Sequence, residues 1–416
     1  MEQALTIRSV GHKGDGVAQV PSGDAVHVPL TLPGERVLAE VRDGRASLRQ
    51  VIEPSPDRVA PVSPHYGACG GCVLQHWRAE PYLAWKRDQV IRALAREGLE
   101  CEVHPVIATG PASRRRVGLH ARRDRGGQVV LGFKGRRSWS VVPVERCPIM
   151  VPAIERALPA LAEVARPFLG HPKSAPILHV TATLTGLDVD VTGVMRGRAG
   201  LSADQIMQAG EAAGRADLAR LTMDGETLYQ VRDPMVQAGR ARVVLPPGGF
   251  TQAVEQAERA MVETMMAATG DGGRMADLFC GLGTFSFPLA ERGPVLAMDG
   301  SAPAIEALRR AQASAPGLKP IRAEARDLFL HPLSAGEMKG IDTVVFDPPR
   351  AGALAQAREI GLSGASRIVG ISCNPATFAR DAAEIVSHGW RLDDVQPVDQ
   401  FLWSAHIELV GTFSRK

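Results

Sequence analysis

From residue 248 onward the chain repeats one pattern: a short apolar run, a turn carrying glycine, proline or an acidic residue, then a helical stretch. Met275-Ala276-Asp277-Leu278-Phe279, residues 295–299, residues 341–347 and residues 366–371 are the apolar runs. Strands that alternate with helices build a parallel, doubly wound sheet, because each crossover returns the chain to the same end. In such a sheet the carboxyl ends of the strands share one edge, and ligands bind there. The residues just after each run are therefore the place to look for chemistry.

The first run is followed by Cys280-Gly281-Leu282-Gly283-Thr284, whose glycines let backbone approach a ligand. A dinucleotide fingerprint needs a third glycine where this chain has Ser286, which argues against tight pyrophosphate packing. Asp299 ends the next run, about 20 residues on, where a carboxylate can take ribose hydroxyls. An adenosine ligand without a pyrophosphate satisfies both facts, and S-adenosylmethionine is one. The third run ends in Asp347-Pro348-Pro349-Arg350, where consecutive prolines stiffen the loop that holds the two charges. The fourth ends in Ser372-Cys373-Asn374-Pro375. A free cysteine is most often a small buried hydrophobe, but at this edge a thiol is also placed as a nucleophile. Glu408, a carboxylate inside the apolar run 406–413, is either a water-facing edge residue or a buried base with a raised pKa.

Upstream, five alternating segments (5–10, 16–20, 25–30, 36–41 and 47–52) are separated by the turn signals Gly14-Asp15-Gly16, Ser22-Gly23-Asp24 and Asp43-Gly44. They predict a small β-barrel over residues 1–60, a module that often carries oligonucleotides on one face. The Pro-rich stretch 54–64 ends it. Residues 61–247 read as a mixed α+β domain with helices over 81–97, 151–168 and 202–218, the first of them free to pack on the domain 248–416. A chain of 416 residues, 45% hydrophobic, can bury that many cores.

Six cysteines in so long a chain fit a reducing compartment. Cys69 and Cys72, at Cys-x-x-Cys spacing among glycines, supply two ligands of a zinc or iron–sulfur site, with Cys147 the natural third and Cys101 a weaker choice. A redox pair would instead open a helix in a βαβ unit, which is not expected here. Between residues 110 and 147 ten basic side chains face two acidic ones, with Phe133 and Trp139 among them, in a chain whose net charge is only +3. Arginines interleaved with aromatics fit phosphate contacts and base stacking, so this run is expected to meet nucleic acid. No apolar run approaches the roughly 20 residues that span a bilayer, and no basic start with an apolar core marks a signal peptide. The expectation is a cytoplasmic monomer with no membrane partner.

The segments Asp277-Leu278-Phe279-Cys280-Gly281-Leu282-Gly283-Thr284-Phe285, Asp347-Pro348-Pro349-Arg350-Ala351-Gly352, Ser372-Cys373-Asn374-Pro375 and His406-Ile407-Glu408, in that order, resemble the motifs of the RNA uracil-C5 methyltransferase family. The barrel resembles a TRAM (OB-like) domain, and the Cys69, Cys72 and Cys147 segment resembles the family's iron–sulfur domain. The likeness thus covers nearly the full chain. It implies a Rossmann-like methyltransferase domain, with Cys373 as nucleophile toward uracil C6 and Glu408 as the base for the C5 proton. It implies S-adenosylmethionine contacts from Gln252, Phe279, Gly281, Gly283, Thr284, Asp299 and Asp347, and metal ligation by Cys69, Cys72 and Cys147.

Two positions depart from the family's pattern. Ser63 stands where the pattern has a further cysteine, six residues before Cys69, so the cluster is four-iron, three-iron or absent. Residues 250–254 lack an asparagine usual soon after the glutamine. A barrel combined with a cluster domain resembles the ribosomal RNA enzymes and implies 23S ribosomal RNA as the target. A transfer RNA target, or an RNA-binding ribosome-assembly factor with a vestigial site, are the alternatives. A nicotinamide oxidoreductase is disfavoured by Ser286.

Overall fold

The computed structural model describes residues 2–20, 23–42, 45–171, 173–195, 201–270 and 272–415. Its first five strands, Glu2–Val10, Gly16–Gln19, Ala25–Val28, Arg36–Arg42 and Arg45–Glu53, close into a barrel in which the fifth lies between the third and the fourth. The strand period turns alternate side chains inward, so Leu5, Ile7, Val26, Val28, Val37 and Ala39 fill the interior. Gly14 turns the first hairpin at φ 82°, a conformation that favours glycine. The expected turns at Ser22 and at Asp43-Gly44 lie outside the described residues.

A seven-stranded sheet follows. In spatial order it runs Val141–Pro143, Val129–Lys134, Arg116–Arg123, Ile177–Thr183, Gly186–Thr192, Leu218–Met223 and Glu226–Gln230. Helices Pro152–Ala165 and Ala203–Arg215 bury Ile154, Leu158, Leu161, Ala209 and Ala213 in its core. Ser202 and Gln205 close a reciprocal capping box at the start of the second helix.

The C-terminal half is a nine-stranded sheet with a buried core on each face. Strand Met275–Leu278 lies at its centre, with the parallel strands Val295–Asp299 and Ile321–Ala325 on one side and Thr343–Phe346 and Arg367–Ser372 on the other. Strand order reverses between Met275–Leu278 and Thr343–Phe346, which makes the residues after them the switch point of a doubly wound sheet. Strand Glu408–Arg415 then pairs antiparallel with Arg367–Ser372, and Trp390–Asp399 pairs antiparallel with Glu408–Arg415. Strand Ile321–Ala325 did not emerge from the sequence pattern. It lies at the sheet edge with Arg322 and Glu324 ion-paired on its surface, so no apolar run marks it.

Two earlier segments join this half. Strands Glu102–Val103 and Ile107–Ala108 pair with Trp390–Asp399, and the hairpin Met235–Ala238 and Ala241–Val244 adds Val236, Ala238, Ala241 and Val243 to the core. Helix Ala79–Arg96 packs beside helix Pro375–Ser387. Its Lys86, fully buried, donates to Asp399 Oδ1 at 2.5 Å, His406 O at 2.6 Å and Phe401 O at 3.3 Å, while Tyr82 donates to Asp399 Oδ2 at 2.8 Å. Burial pulls the Lys86 ammonium down to about 8, with the Asp399 carboxylate opposing that shift. The helix thereby clamps the loop 399–406, and Trp85, donating to Val10 O at 3.1 Å, ties the barrel to the same helix. Among the described residues no helix is long and apolar enough to cross a membrane.

Candidate active site

The carboxyl edge of the central strands opens into a cavity of about 1020 Å3. Gln252, Phe279, Gly281, Asp299, Asp347, Cys373 and Glu408 all line it. The sheet brings all but Gln252 together, because each ends, follows or begins a neighbouring strand, and Gln252 comes from the loop before helix Glu255–Ala268. Gly281 N donates to Asp299 Oδ2 at 2.9 Å and Ser301 N donates to Oδ1 at 2.7 Å, which fixes the carboxylate at the rim. Gly281 has φ 53° and open space where a Cβ would stand, as a ligand-facing turn requires. Phe279, a bulky residue at φ 63°, carries backbone strain beside it.

Gly283 and Thr284 are not among the cavity's lining residues. A Cβ at Gly283 would meet Phe287 at 2.9 Å and Leu308 at 3.0 Å, so this glycine serves the packing of the following helix. Ser286, at the place of the third fingerprint glycine, donates through Oγ to Asp277 Oδ2 at 2.5 Å. Burial pushes the Asp277 carboxyl up to about 7.

Cys373 and Glu408 face each other by strand register. Ser372 pairs with Leu409, so the next residue on each antiparallel strand is the thiol on one side and the carboxylate on the other. Glu408 is 5% exposed, which removes the water-facing alternative. Gln400 Nε2 donates to Glu408 Oε1 at 3.1 Å and to Gln252 Oε1 at 3.0 Å, and Gln400 Oε1 accepts from Val254 N at 3.3 Å. Burial first, then the charge of Asp347, pushes Glu408 up to about 8 despite the Gln400 hydrogen bond. Burial and the charges of Glu408 and Asp347 push the Cys373 thiol up to about 11, with Arg350 opposing them. Asp347 itself rises to about 7 through burial and Asp299. Arg114, Arg116 and Arg350 line the same cavity, so these carboxylates share it with three cations.

A second cavity, of about 690 Å3, reaches Cys373 from the other side. The barrel supplies Lys13 and Asp15 to its lining, the central sheet supplies Lys134, Arg136 and Arg137, and the catalytic half supplies Arg350, Phe401 and His406. Arg114, Arg350, Cys373 and Phe401 line both cavities, and the Arg114 guanidinium lies 5.4 Å from the Phe401 ring. Part of the basic run is used internally. Arg115 is buried and donates to Glu258 Oε2 at 2.7 Å, Thr251 Oγ1 at 2.9 Å and Gln252 O at 3.0 Å, while Arg136 and Arg137 pair with Asp15. The expectation that the whole basic run 110–147 meets nucleic acid is narrowed accordingly, because Arg115 is buried against Glu258. Trp139 is 87% exposed, and its ring lies under Lys134 Nζ at 4.1 Å.

Cys69, Cys72 and Cys147 line a third cavity of about 230 Å3, with Ser63 and His65 in its wall. All three cysteines are free and Cys147 is buried. Among the described residues no three His, Cys, Asp or Glu groups converge to hold a single metal ion. Cys101 lies elsewhere, beside Asp393 and Asp394.

Sequence reasoning did not find Gln400, Asp327 or Phe329, all of which line the first cavity. Phe329 stacks against Phe279 with centroids 5.5 Å apart. Asp327 and Phe329 follow the edge strand that the pattern missed, and Gln400 sits in the clamped loop, where no motif marks it.

A model of the tRNA (uracil-5-)-methyltransferase family matches residues 201–416. An uncharacterised RNA methyltransferase of Caulobacter vibrioides is 56% identical over 414 residues, covering 99% of this chain and 100% of that one. A protein of Alkalilimnicola ehrlichii named 23S rRNA (uracil(1939)-C(5))-methyltransferase is 33% identical over 440 residues, covering 99% of this chain and 96% of its own. In fold, the chain superposes on the Pyrococcus abyssi tRNA (uracil-54, C5)-methyltransferase, crystallised with S-adenosyl-L-homocysteine, at a TM-score of 0.75 with 23% identity over 99% of each chain.

Proposed function

The chain belongs to the RNA uracil-C5 methyltransferase family and is an S-adenosylmethionine-dependent enzyme, and we propose that it methylates C5 of one uridine in 23S ribosomal RNA through a covalent Cys373 adduct. The observation that carries this reading is the position of Cys373: it lies opposite Glu408 and borders both a cavity that gathers four carboxylates and a basic one.

The carboxylate-lined cavity suits the methyl donor. Asp299 is held where ribose hydroxyls can reach it, Phe279 and Phe329 offer ring faces, and Asp347 and Glu408 favour the sulfonium charge. That positive charge also lowers the pKa values of the thiol and the carboxylates around it. The chemistry then needs a nucleophile and a base. The Cys373 thiolate bonds to C6, which turns C5 into the carbon of an enolate that takes the sulfonium methyl group and releases S-adenosylhomocysteine. Glu408 accepts the C5 proton, the C6–S bond breaks, and the thiolate returns. Gln400 orients Glu408 for that transfer.

The basic cavity suits the polyanion, and the target uridine leaves its stack to reach the thiol. The barrel, read as a TRAM-like module, contributes Lys13 to the same surface. The ribosomal target is favoured by the full-length likeness to the 23S rRNA enzyme and by the three thiols that line one cavity, read as the site of an iron–sulfur cluster. We place the reaction in the cytoplasm, carried out by a monomer. The test is methyl transfer from labelled S-adenosylmethionine to 23S ribosomal RNA and to transfer RNA, each lacking 5-methyluridine. Label in one uridine of 23S ribosomal RNA supports the reading. Label in transfer RNA alone moves the target, and RNA binding without transfer overturns the enzyme.

A further inference from the structure

The hairpin turn between strands Val129–Lys134 and Val141–Pro143 is held from two sides. On one side Gly70 N donates to Lys134 O at 3.1 Å and Arg136 N donates to Ala68 O at 3.3 Å. A Cβ at Gly70 would meet Lys134 O at 3.0 Å, so this glycine lets the cysteine loop close against the hairpin. On the other side Arg136 and Arg137 pair with Asp15 of the barrel. Within the turn, Gly135 N donates to Ser140 O at 2.8 Å and Ser140 N donates to Ser138 Oγ at 3.0 Å. Trp139 stands in this fixed turn and is 87% exposed, whereas Trp77, Trp85 and Trp390 are buried. Lys134 Nζ lies 4.1 Å from the Trp139 ring, so one face of the indole carries a cation and the rest of the ring is open to solvent. Leaving so large an apolar surface in water costs free energy that a partner would recover.

We propose that Trp139 is a stacking platform for an unpaired base of the RNA segment that enters the basic groove. Lys134, Gly135, Arg136 and Arg137, from the same hairpin, line that groove together with Cys373, so the indole stands at the rim of the path to the thiol. Lys134 serves both partners, holding one face of the ring while its charge faces the phosphate chain. Every base has a π-face, so stacking on an indole tolerates any sequence and adds to the phosphate contacts without repeating them. A uridine that leaves its stack uncovers the faces of its neighbours. An indole held at the rim returns stacking to one of them.

This inference rests on the reading of the basic cavity as the RNA groove, and the experiment separates the two. The full chain is titrated with single-stranded oligoadenylate and, in parallel, with inorganic polyphosphate of matching charge. Affinity is read by calorimetry and base contact by tryptophan emission. Polyphosphate tests the cations alone, and oligoadenylate adds the bases. Oligoadenylate should quench the emission of the wild type, and Trp139→Ala should remove most of that quenching. The same variant should weaken oligoadenylate about tenfold and leave polyphosphate affinity unchanged, while Trp139→Phe keeps most of the affinity. Equal oligoadenylate affinity in the wild type and Trp139→Ala, or equal losses for both probes, overturns the platform and leaves the groove standing. Failure of both probes to bind the wild type overturns both, and the methyl-transfer assay, run separately, shows whether the enzyme reading stands apart from them.

Discussion

Cys373 lines two cavities of different character. On the donor side, Asp299, Asp327, Asp347 and Glu408 share the lining with Arg114, Arg116 and Arg350. On the groove side, Lys13, Lys134, Arg136 and Arg137 collect around one carboxylate, Asp15. Each side suits one charge, a sulfonium cation or a phosphate chain, and the only atoms both reach belong to the thiol and its neighbours Arg114, Arg350 and Phe401. On the function proposed above, chemistry belongs to one side and capture to the other. Substitutions on the donor side should therefore change turnover and its pH dependence, and those in the groove should change affinity and its salt dependence.

The largest effect expected from a single donor-side change is at Glu408. Glu408→Gln keeps the shape and the Gln400 contact but cannot accept a proton, so turnover should fall by roughly 10²–10⁴-fold. Adduct should build up on the protein, because the step that fails is elimination. A fall in turnover without adduct, read by denaturing electrophoresis, would move Glu408 to an earlier role. Groove changes come next: Lys134→Ala with Arg137→Ala should raise KM for RNA with little change in kcat, and should lower the salt slope of binding by about 0.7–0.9 per lost phosphate contact. An unchanged slope removes these residues from the interface. Arg115→Ala should instead cost stability, because it leaves Glu258 buried without its partner.

The pH profile sharpens the donor side further. Glu408 and Cys373 must both be ionised to act, and burial raises the carboxyl to about 8 and the thiol to about 11, so kcat/KM for the methyl donor should rise steeply with pH up to a midpoint at about 8 and less steeply above it as the thiol ionises. A flat profile from about pH 6 to about pH 9 would contradict a buried base. The smallest effect is expected from Gln400→Ala. Loss of the hydrogen bond that favours the ionised form moves that midpoint upward, with turnover at neutral pH lower by about tenfold or less. A downward shift would mean that Gln400 does not act on Glu408.

The donor side was the more legible of the two in the sequence, for a topological reason. Parallel strands deliver their carboxyl ends to one edge, so the sequence pattern alone places Asp299, Asp347 and Cys373 together. Glu408 is different: apolar neighbours left it open between an exposed edge and a buried base, and its 5% exposure and its register against Cys373 show where it lies. The groove was less legible because charge alone does not say which arginines face outward. Arg115 looks like its neighbours in the sequence but is spent on Glu258. Gln400 was invisible for a similar reason, since its role depends on a loop that Lys86, more than 300 positions upstream, clamps in place. Gly283 shows the converse, a motif glycine that packs against Phe287 and Leu308 while Gly281 lines the cavity.

The central claim is that the thiol between the two cavities forms a covalent bond with the uracil ring. It is tested most directly by incubating the enzyme with S-adenosylmethionine and a substrate RNA whose uridines are replaced by 5-fluorouridine, then weighing the intact protein by mass spectrometry. Fluorine cannot leave as a proton does, so the reaction stops at the methylated adduct. The wild type should gain the mass of the RNA fragment plus one methyl group, mapped to Cys373, and Cys373→Ala should gain nothing. An adduct of the same yield in Cys373→Ala would contradict the account.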